Sequence, residues 1–283
     1  MKYSKEFKSL LDLTTETYIG HGNPNAKILI FGQEPAADKN EIRALDNRND
    51  YERSILENKK HWGNNVVQGI GFENLEKCCT LETMCNYNPL FPYNGQKFIY
   101  RRKSGKKDEN GIDIYAGQEG TAPTWCNYQK LINKIALKCN LPEWIAQKRE
   151  KLTFHSVTFS TDMSGEASTS HIVNPEGVAS VIARATSMFN TAFFKTFPVI
   201  IAAVGRFPDK TYGHDYFANI FNVKLISKRN LGKLWIDVYE NDECLLIHCP
   251  QFSARIADSF IEEIASIVSG FVKERSINIQ PLE

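Results

Sequence analysis

Long apolar runs are absent from this sequence. The longest, such as residues 198–204, fall far short of the ~20 residues that a bilayer-spanning helix needs. Residues 1–8 are mostly charged or polar and lack the apolar core that is typical of a secretory signal peptide. We therefore expect a cytoplasmic protein with no membrane partner.

The spacing of metal-binding cysteines is also missing. The chain has seven cysteines, an odd number, and none of them form the Cys-x-x-Cys pair that is typical of zinc and iron–sulfur sites. Cys78, Cys79 and Cys85 are close enough in sequence to form a metal cluster, but reduced, packed thiols explain them more simply. We expect no metal site and no organic cofactor.

The chain also has little excess charge of either sign. Its formal net charge is +1, whereas a domain that binds nucleic acid mainly through phosphates is usually strongly basic. Residues 101–107 form a compact basic run, and Lys228, Arg229 and Lys233 form a smaller one. Each run is either a solvated loop or a contact for phosphates, and both alternatives stay open.

What the sequence does contain is typical of a globular protein. Its 283 residues are 42% hydrophobic and 24% charged, which excludes the disordered and collagen-like classes. Apolar segments alternate with segments of helical periodicity, which predicts an α/β fold: a three-layer αβα sandwich with a mainly parallel central sheet. We expect one domain over residues 1–283, a monomer, with an irregular insertion at about 38–120 that carries short helices.

The predicted elements follow from apolar runs and periodicity. Core strands are predicted at residues 27–31, 152–159, 198–204 and 245–247, and a smaller strand pair at 223–226 and 234–239. Helices are predicted at residues 4–18, 124–137, 174–189 and 253–272.

Polar loops follow the first and the last of these core strands. The residues that stand out in them are Gln33, Glu34, Pro35, His248, Gln251 and Ser253. In an open parallel sheet, the loops after neighbouring strands line one crevice. If these two strands are neighbours, the Glu34 carboxylate and the His248 imidazole face each other there as an acid/base pair.

The two loops resemble the signature motifs of the uracil-DNA glycosylase superfamily. The first motif, typically Gly-Gln-Asp-Pro, stands here as Gly32-Gln-Glu-Pro35, and the second, typically His-Pro-Ser-Pro-Leu-Ser, as His248-Cys-Pro-Gln-Phe-Ser253. Residues 123–134, 154–158 and 198–206 are similar to intermediate landmarks of the family and occur in the same order. The resemblance covers roughly residues 18 to 272.

This resemblance implies a uracil-DNA glycosylase-like fold and a cofactor-independent enzyme. Such an enzyme hydrolyses the N-glycosidic bond of a deaminated or damaged base, of the uracil type, in DNA. Glu34 would stabilise the oxocarbenium-like sugar and orient water. His248 would donate a hydrogen bond to the carbonyl oxygen of the departing base.

The resemblance also implies residues that bind the DNA, either single-stranded or mismatched, and the flipped base. Tyr115 would stack on the base and His155 would read its edge. Phe252 would fill the vacated stack, and Ser253 would hold a flanking phosphate. The other candidates in the two loops are Gln33, Pro35, Gln251 and Arg255.

Four positions depart from the best-known pattern of the family. Glu34 replaces Asp and extends the side chain by one methylene, or ~1.5 Å. Ala36, His155 and Cys249 stand where that pattern has Tyr, Asn and Pro. The departures favour a catalytically silent nucleic-acid or nucleotide binding protein on the same fold, or an enzyme for another small substrate. The retained carboxylate–histidine pair favours the glycosylase.

Overall fold

The computed structural model describes residues 1–33, 35, 55–74, 88–91, 97–100, 102–107, 113–116, 121–166, 175–253 and 256–282. Predictions that concern Glu34, Ala36, Arg255 and the cysteines at 78, 79 and 85 lie outside these residues. The described cysteines, Cys126, Cys139, Cys244 and Cys249, carry free thiols.

Strands and helices alternate along much of the described chain. The strands are β1 (His21–Gly22), β2 (Ile28–Gly32), β3 (Arg102–Lys107), β4 (Asp113–Ala116), β5 (Thr158–Asp162), β6 (Val199–Ala203), β7 (Lys224–Leu231), β8 (Leu234–Glu240) and β9 (Leu245–Cys249). The α-helices are α1 (Lys5–Leu13), α2 (Asn58–Gln68), α3 (Pro123–Cys139), α4 (Phe154–Val157), α5 (Pro175–Ala183), α6 (Ala192–Lys195), α7 (Phe207–Tyr212), α8 (Tyr216–Phe221) and α9 (Asp258–Glu274). A 3-10 turn spans Pro142–Trp144, and a π-helical turn spans Arg184–Met188.

The Cα positions divide the chain into two compact units. Unit 1 comprises Met1–Pro92, His155–Pro250 and Ile277–Glu283, and unit 2 comprises Tyr93–Phe154 and Gln251–Ser276. The second sequence motif is divided between them after Pro250. The single domain expected over residues 1–283 stays a prediction.

Unit 1 is built around a sheet that has seven strands in the described residues, in the order β1-β5-β2-β6-β9-β8-β7. The four strands β5, β2, β6 and β9 are parallel, and the pairings of β1, β8 and β7 are antiparallel. The α/β class is therefore confirmed, and the sheet is mixed around a parallel core of four strands. The small predicted strand pair is longer than expected and joins this sheet through β8.

The strand order corrects one expectation about the two motifs. Strand β6 lies between β2 and β9, so the strands that carry the two motifs are not neighbours. With one strand between them, they are ~10 Å apart. Both still end at the same edge of the parallel core.

Aromatic packing on one face of the sheet stabilises unit 1. Leu29, Phe159 and Ile200 are aligned across three strands and belong to one buried cluster. Phe7 of α1 packs against Phe159 and Phe193 at ring-centroid distances of 6.2 and 5.0 Å. Burying each such side chain contributes ~1.5–3 kcal/mol.

The strand predicted at residues 152–159 is displaced in the structure. Residues 154–157 form the helical turn α4, and β5 starts only at Thr158. The Asn23 amide donates to the carbonyl groups of His155 and Thr158, and the Asn23 side chain donates to that of Ser156. These tertiary hydrogen bonds satisfy backbone groups that a strand would have paired with another strand.

Unit 2 contains the helices α3 and α9 and the hairpin β3–β4. Ion pairs join the two helices, with Lys130 Nζ 2.9 Å from Asp258 Oδ1 and Lys134 Nζ 2.6 Å from Glu262 Oε2. The predicted insertion contributes to both units, because α2 lies in unit 1 and the hairpin in unit 2. Within the described ranges, no helix has the length and apolar character of a membrane span.

Candidate functional site

The carboxyl end of β2 is a switch point of the sheet. The chain runs from β2 to β5 on one side of it and then to β6 on the other. Open α/β sheets bind their ligands in the crevice outside such a point. Gln33 and Pro35 are buried there, directly after β2, and the Ser164 amide donates a 3.1 Å hydrogen bond to the Gln33 carbonyl oxygen.

Asp162 adds a carboxyl group at this switch point. It is the last residue of β5, it is aligned with Gly32, and it is partly exposed. A Cβ atom on residue 32 would lie 2.0 Å from Asp162 Oδ1. The glycine of the first motif therefore makes room for this carboxyl group.

Tyr18 connects Asp162 to a buried histidine. The Tyr18 hydroxyl donates to Asp162 Oδ2 at 3.0 Å, and His21 Nδ1 lies 3.3 Å from the same hydroxyl oxygen. Burial raises the pKa of Asp162 to about 6, against the lowering effects of the Tyr18 hydrogen bond and of Arg184. Burial lowers the pKa of His21 to about 3, so its ring is neutral at physiological pH.

Arg184 fixes the segments around this carboxyl group. Its guanidinium is fully buried at the start of the π-helical turn and donates to the Tyr18 carbonyl oxygen at 2.5 Å and to Thr161 Oγ1 at 2.9 Å. It also donates to the Asp162 carbonyl oxygen at 3.3 Å and pairs with Glu16 Oε2 at 3.2 Å. One side chain thus holds the loop before β1 against the end of β5.

His248 lies near the end of β9, at the same edge of the sheet. Its Nε2 is 2.7 Å from the carbonyl oxygen of Gly205, and since a carbonyl only accepts, Nε2 carries the hydrogen. Trp235 and Phe217 pack on the ring at centroid distances of 4.9 and 5.6 Å, which leaves the residue 2% exposed. Burial lowers the pKa of His248 below its usual value.

Two acidic residues accompany His248. Asp209 Oδ1 lies 3.8 Å from His248 Nδ1, and Asp237 is aligned with His248 on the adjacent strand. Arg206 Nη1 is 2.8 Å from Asp209 Oδ2 and contacts Asp237 Oδ2, while its guanidinium stacks 3.3 Å from the Trp235 ring centroid. We call Arg206, Asp209, Trp235, Asp237 and His248 the His248 cluster.

His155 is not brought together with the first motif. It lies in α4, before β5 begins, whereas Gln33 and Pro35 lie at the carboxyl ends of the parallel strands. Its fully buried ring is 3.9 Å from that of Phe91, and burial lowers its pKa to about 3. Its base-reading role stays a prediction.

The remaining described candidates belong to unit 2. Tyr115 is in β4, Gln251 is half-buried and Ser253 is exposed. Phe252 is 1% exposed and packs against Tyr128 and Phe260. To act as a wedge in a base stack, Phe252 would have to leave this core.

Sequence reasoning missed Asp162, Arg184, Asp209 and Asp237. Asp162 had a recognisable signal, because it is the first charged residue at the end of the buried segment Thr158–Asp162. The strand predicted at residues 152–159 stopped too early to include Asp162, so this residue was not considered as part of the site. Asp209 and Asp237 had none, because the tertiary fold brings them to His248 from α7 and β8.

Known proteins add nothing to this geometry. Searches of protein-family models, of curated proteins and of solved structures found no match for the chain.

Proposed function

We propose that the protein is a DNA glycosylase-like hydrolase on a three-layer, uracil-DNA glycosylase-like fold. Its substrate would be a deaminated or damaged base of the uracil type, in single-stranded or mismatched DNA. The observation that supports this best is the carboxyl edge of the parallel core, where the loop after β2 meets Asp162 and where His248 also lies. Both motifs of the resemblance thus start from one edge of one sheet.

In this proposal Asp162 takes part in binding the base. A protonated carboxyl group both donates and accepts a hydrogen bond, which matches an imide edge such as that of uracil. Asp162 is partly exposed at the switch point, and its pKa of about 6 keeps a protonated fraction near neutral pH. Glu34 would stabilise the oxocarbenium-like sugar and position the attacking water.

The role of His248 then requires a local rearrangement. A donor to the departing base must reach its carbonyl oxygen, yet His248 Nε2 donates to Gly205 and the ring is almost completely buried. Trp235 and Arg206 would have to move for the imidazole to meet a base. This burial is the observation that favours the second candidate, a catalytically silent nucleic-acid or nucleotide binding protein.

Incubation with oligonucleotides that carry uracil, hypoxanthine, xanthine or an oxidised pyrimidine, followed by alkali, separates the two candidates. The proposal expects strand breaks at one of these bases that disappear in Glu34→Gln and in Asp162→Ala. The matched control Glu57→Gln changes an exposed carboxylate at the N-cap of α2 and should leave the breaks unchanged. Salt-sensitive binding without any breaks supports the binding protein, and absence of binding excludes both.

A further inference from the structure

The His248 cluster contains two acceptor atoms that face each other. Because Nε2 of His248 carries the hydrogen that it donates to Gly205, Nδ1 of the neutral ring presents a lone pair. That lone pair faces Asp209 Oδ1 at 3.8 Å, which is too long for a hydrogen bond. A positively charged group between these two acceptors would bind to both of them.

Arg206 supplies only part of that charge. Its Nη1 contacts the Oδ2 atoms of Asp209 and Asp237, and its guanidinium carbon lies 3.3 Å from the Trp235 ring centroid. Among the described residues, the Oδ1 atoms of both carboxylates accept no hydrogen bond from a side chain or the backbone. The two aspartate side chains are 5% and 3% exposed. The cluster thus has two carboxylates against one guanidinium.

We propose that Asp209, Asp237 and His248 bind one divalent transition-metal ion, for which Zn²⁺ is the best-matched probe. One ligand atom from each of the three residues lies within 4.8 Å of the other two. One imidazole nitrogen with two carboxylate oxygens suits zinc and its neighbours in the first transition series better than it suits Mg²⁺ or Ca²⁺. This site shares His248 with the proposed glycosylase, but metal binding there does not require glycosylase activity.

The surroundings of His248 match those of a metal-binding histidine. Such a ring usually donates its other N–H to a carbonyl or carboxylate, which fixes its tautomer and orientation. Here the Gly205 carbonyl accepts that hydrogen bond at 2.7 Å. Zinc–ligand distances of ~2.0–2.2 Å place two tetrahedral ligand atoms ~3.4 Å apart, so the 3.8 Å pair needs to close by only a few tenths of an ångström.

Arg206 would compete with the ion for the carboxylates. The guanidinium and a divalent ion would both lie on the same two aspartates and would repel each other. At a separation of ~4 Å this repulsion lowers the affinity for the ion by about tenfold or more. Arg206 is the more accessible partner, with its side chain 34% exposed. Removing the Arg206 charge should therefore tighten metal binding, although the metal-free protein then loses the ion pairs of Arg206 with the two aspartates.

Calorimetric titration of the chelator-treated full-length protein with Zn²⁺ tests the proposal. We expect one ion per chain, an affinity that falls more than ~100-fold in Asp209→Asn and His248→Gln, and an affinity that rises about tenfold in Arg206→Met. His214→Ala is the matched control, because His214 is 77% exposed and its Nδ1 lies 3.5 Å from Asp209 Oδ2. Its loss should leave binding nearly unchanged.

A second measurement substitutes none of the three proposed metal-binding residues, so it does not depend on whether such variants fold. Co²⁺ bound to His248 would quench the fluorescence of Trp235, whose ring lies 4.9 Å away, and Trp235→Phe should remove that quenching. Stoichiometric binding that survives in His248→Gln but vanishes in His214→Ala would identify an adventitious surface site and overturn the proposal. So would the absence of binding in both the wild type and Arg206→Met.

Discussion

The Tyr18 hydroxyl donates a hydrogen bond to Asp162 at the carboxyl end of β5, and yet the pKa of that carboxyl group is raised. Burial has the larger effect, so the hydrogen bond only partly offsets the cost of ionising a carboxyl group in this position. The same side chain is partly exposed at the switch point of the sheet. Several measurable properties depend on this balance.

Asp162→Asn should make unfolding less sensitive to pH. The pKa of Asp162 is about 6 in the folded chain and 3.8 ordinarily, so the folded state binds the proton more tightly. Wild-type stability should therefore fall as pH rises through this range, by about 3 kcal/mol at most. Asn keeps an acceptor for Tyr18 without ionising, so the variant should gain stability over the wild type from pH 4 to 7.

Urea denaturation at pH 4.5, 6 and 7.5 measures this difference. His21 and His155 contribute the opposite slope, because their pKa values are lowered to about 3 and stability is lost as pH falls below their ordinary 6.5. Both histidines are present in wild type and variant, so subtracting the two curves isolates Asp162. A difference that does not change with pH would contradict the raised pKa.

Tyr18→Phe should raise the pKa of Asp162 further. The hydrogen bond from Tyr18 lowers this pKa, whereas burial raises it. Without the hydrogen bond, only Arg184 still counteracts the effect of burial. Because Tyr18 is itself buried, the loss of its hydroxyl should also cost about 1–3 kcal/mol of stability. Carboxyl-carbon NMR titration measures the pKa directly, and an unchanged or lower value would argue against the assigned hydrogen bond.

Gly32→Ala should displace the Asp162 carboxyl group, because the new Cβ would lie 2.0 Å from Oδ1. We expect a stability loss of about 1–3 kcal/mol. Gly63→Ala, within helix α2 where nothing lies within 4 Å of the added Cβ, is the control and should gain about 0.5–1 kcal/mol.

A double-mutant cycle identifies the cause of the Gly32→Ala effect. If the clash with Asp162 is responsible, Gly32→Ala should cost almost nothing in an Asp162→Ala background. The cost should be measured by urea denaturation at pH 5. An equal cost in both backgrounds would place the strain in the backbone instead.

Some of the helices and apolar strands could be predicted from local pattern. The first strand, predicted at residues 27–31, is observed at Ile28–Gly32, and the helix predicted at 124–137 is observed at Pro123–Cys139. Both depend on side-chain periodicity, which is a local property of the sequence. The α4 turn was not predictable in this way, since hydrogen bonds from Asn23, distant in sequence, hold it.

The candidate site was only partly predictable for a similar reason. A buried strand that runs into Gln33 and Pro35 indicates a loop at a sheet edge, and the structure places both there. No local pattern gives the strand order, so the position of β6 between β2 and β9 was not predicted. The His248 cluster likewise depends on contacts among α7, β8 and β9, which only the tertiary fold brings together.

Arg184→Met should be the most destabilising of these substitutions, because it removes a fully buried guanidinium and leaves the Glu16 carboxylate, 16% exposed, without this partner. Breaking a buried ion pair in this way typically costs about 3–5 kcal/mol. Lys60→Met, which breaks the exposed pair with Glu57, should cost less than about 1 kcal/mol. Urea midpoints at pH 7 compare the two variants, and similar losses for both would mean that Arg184 does not organise the loop before β1.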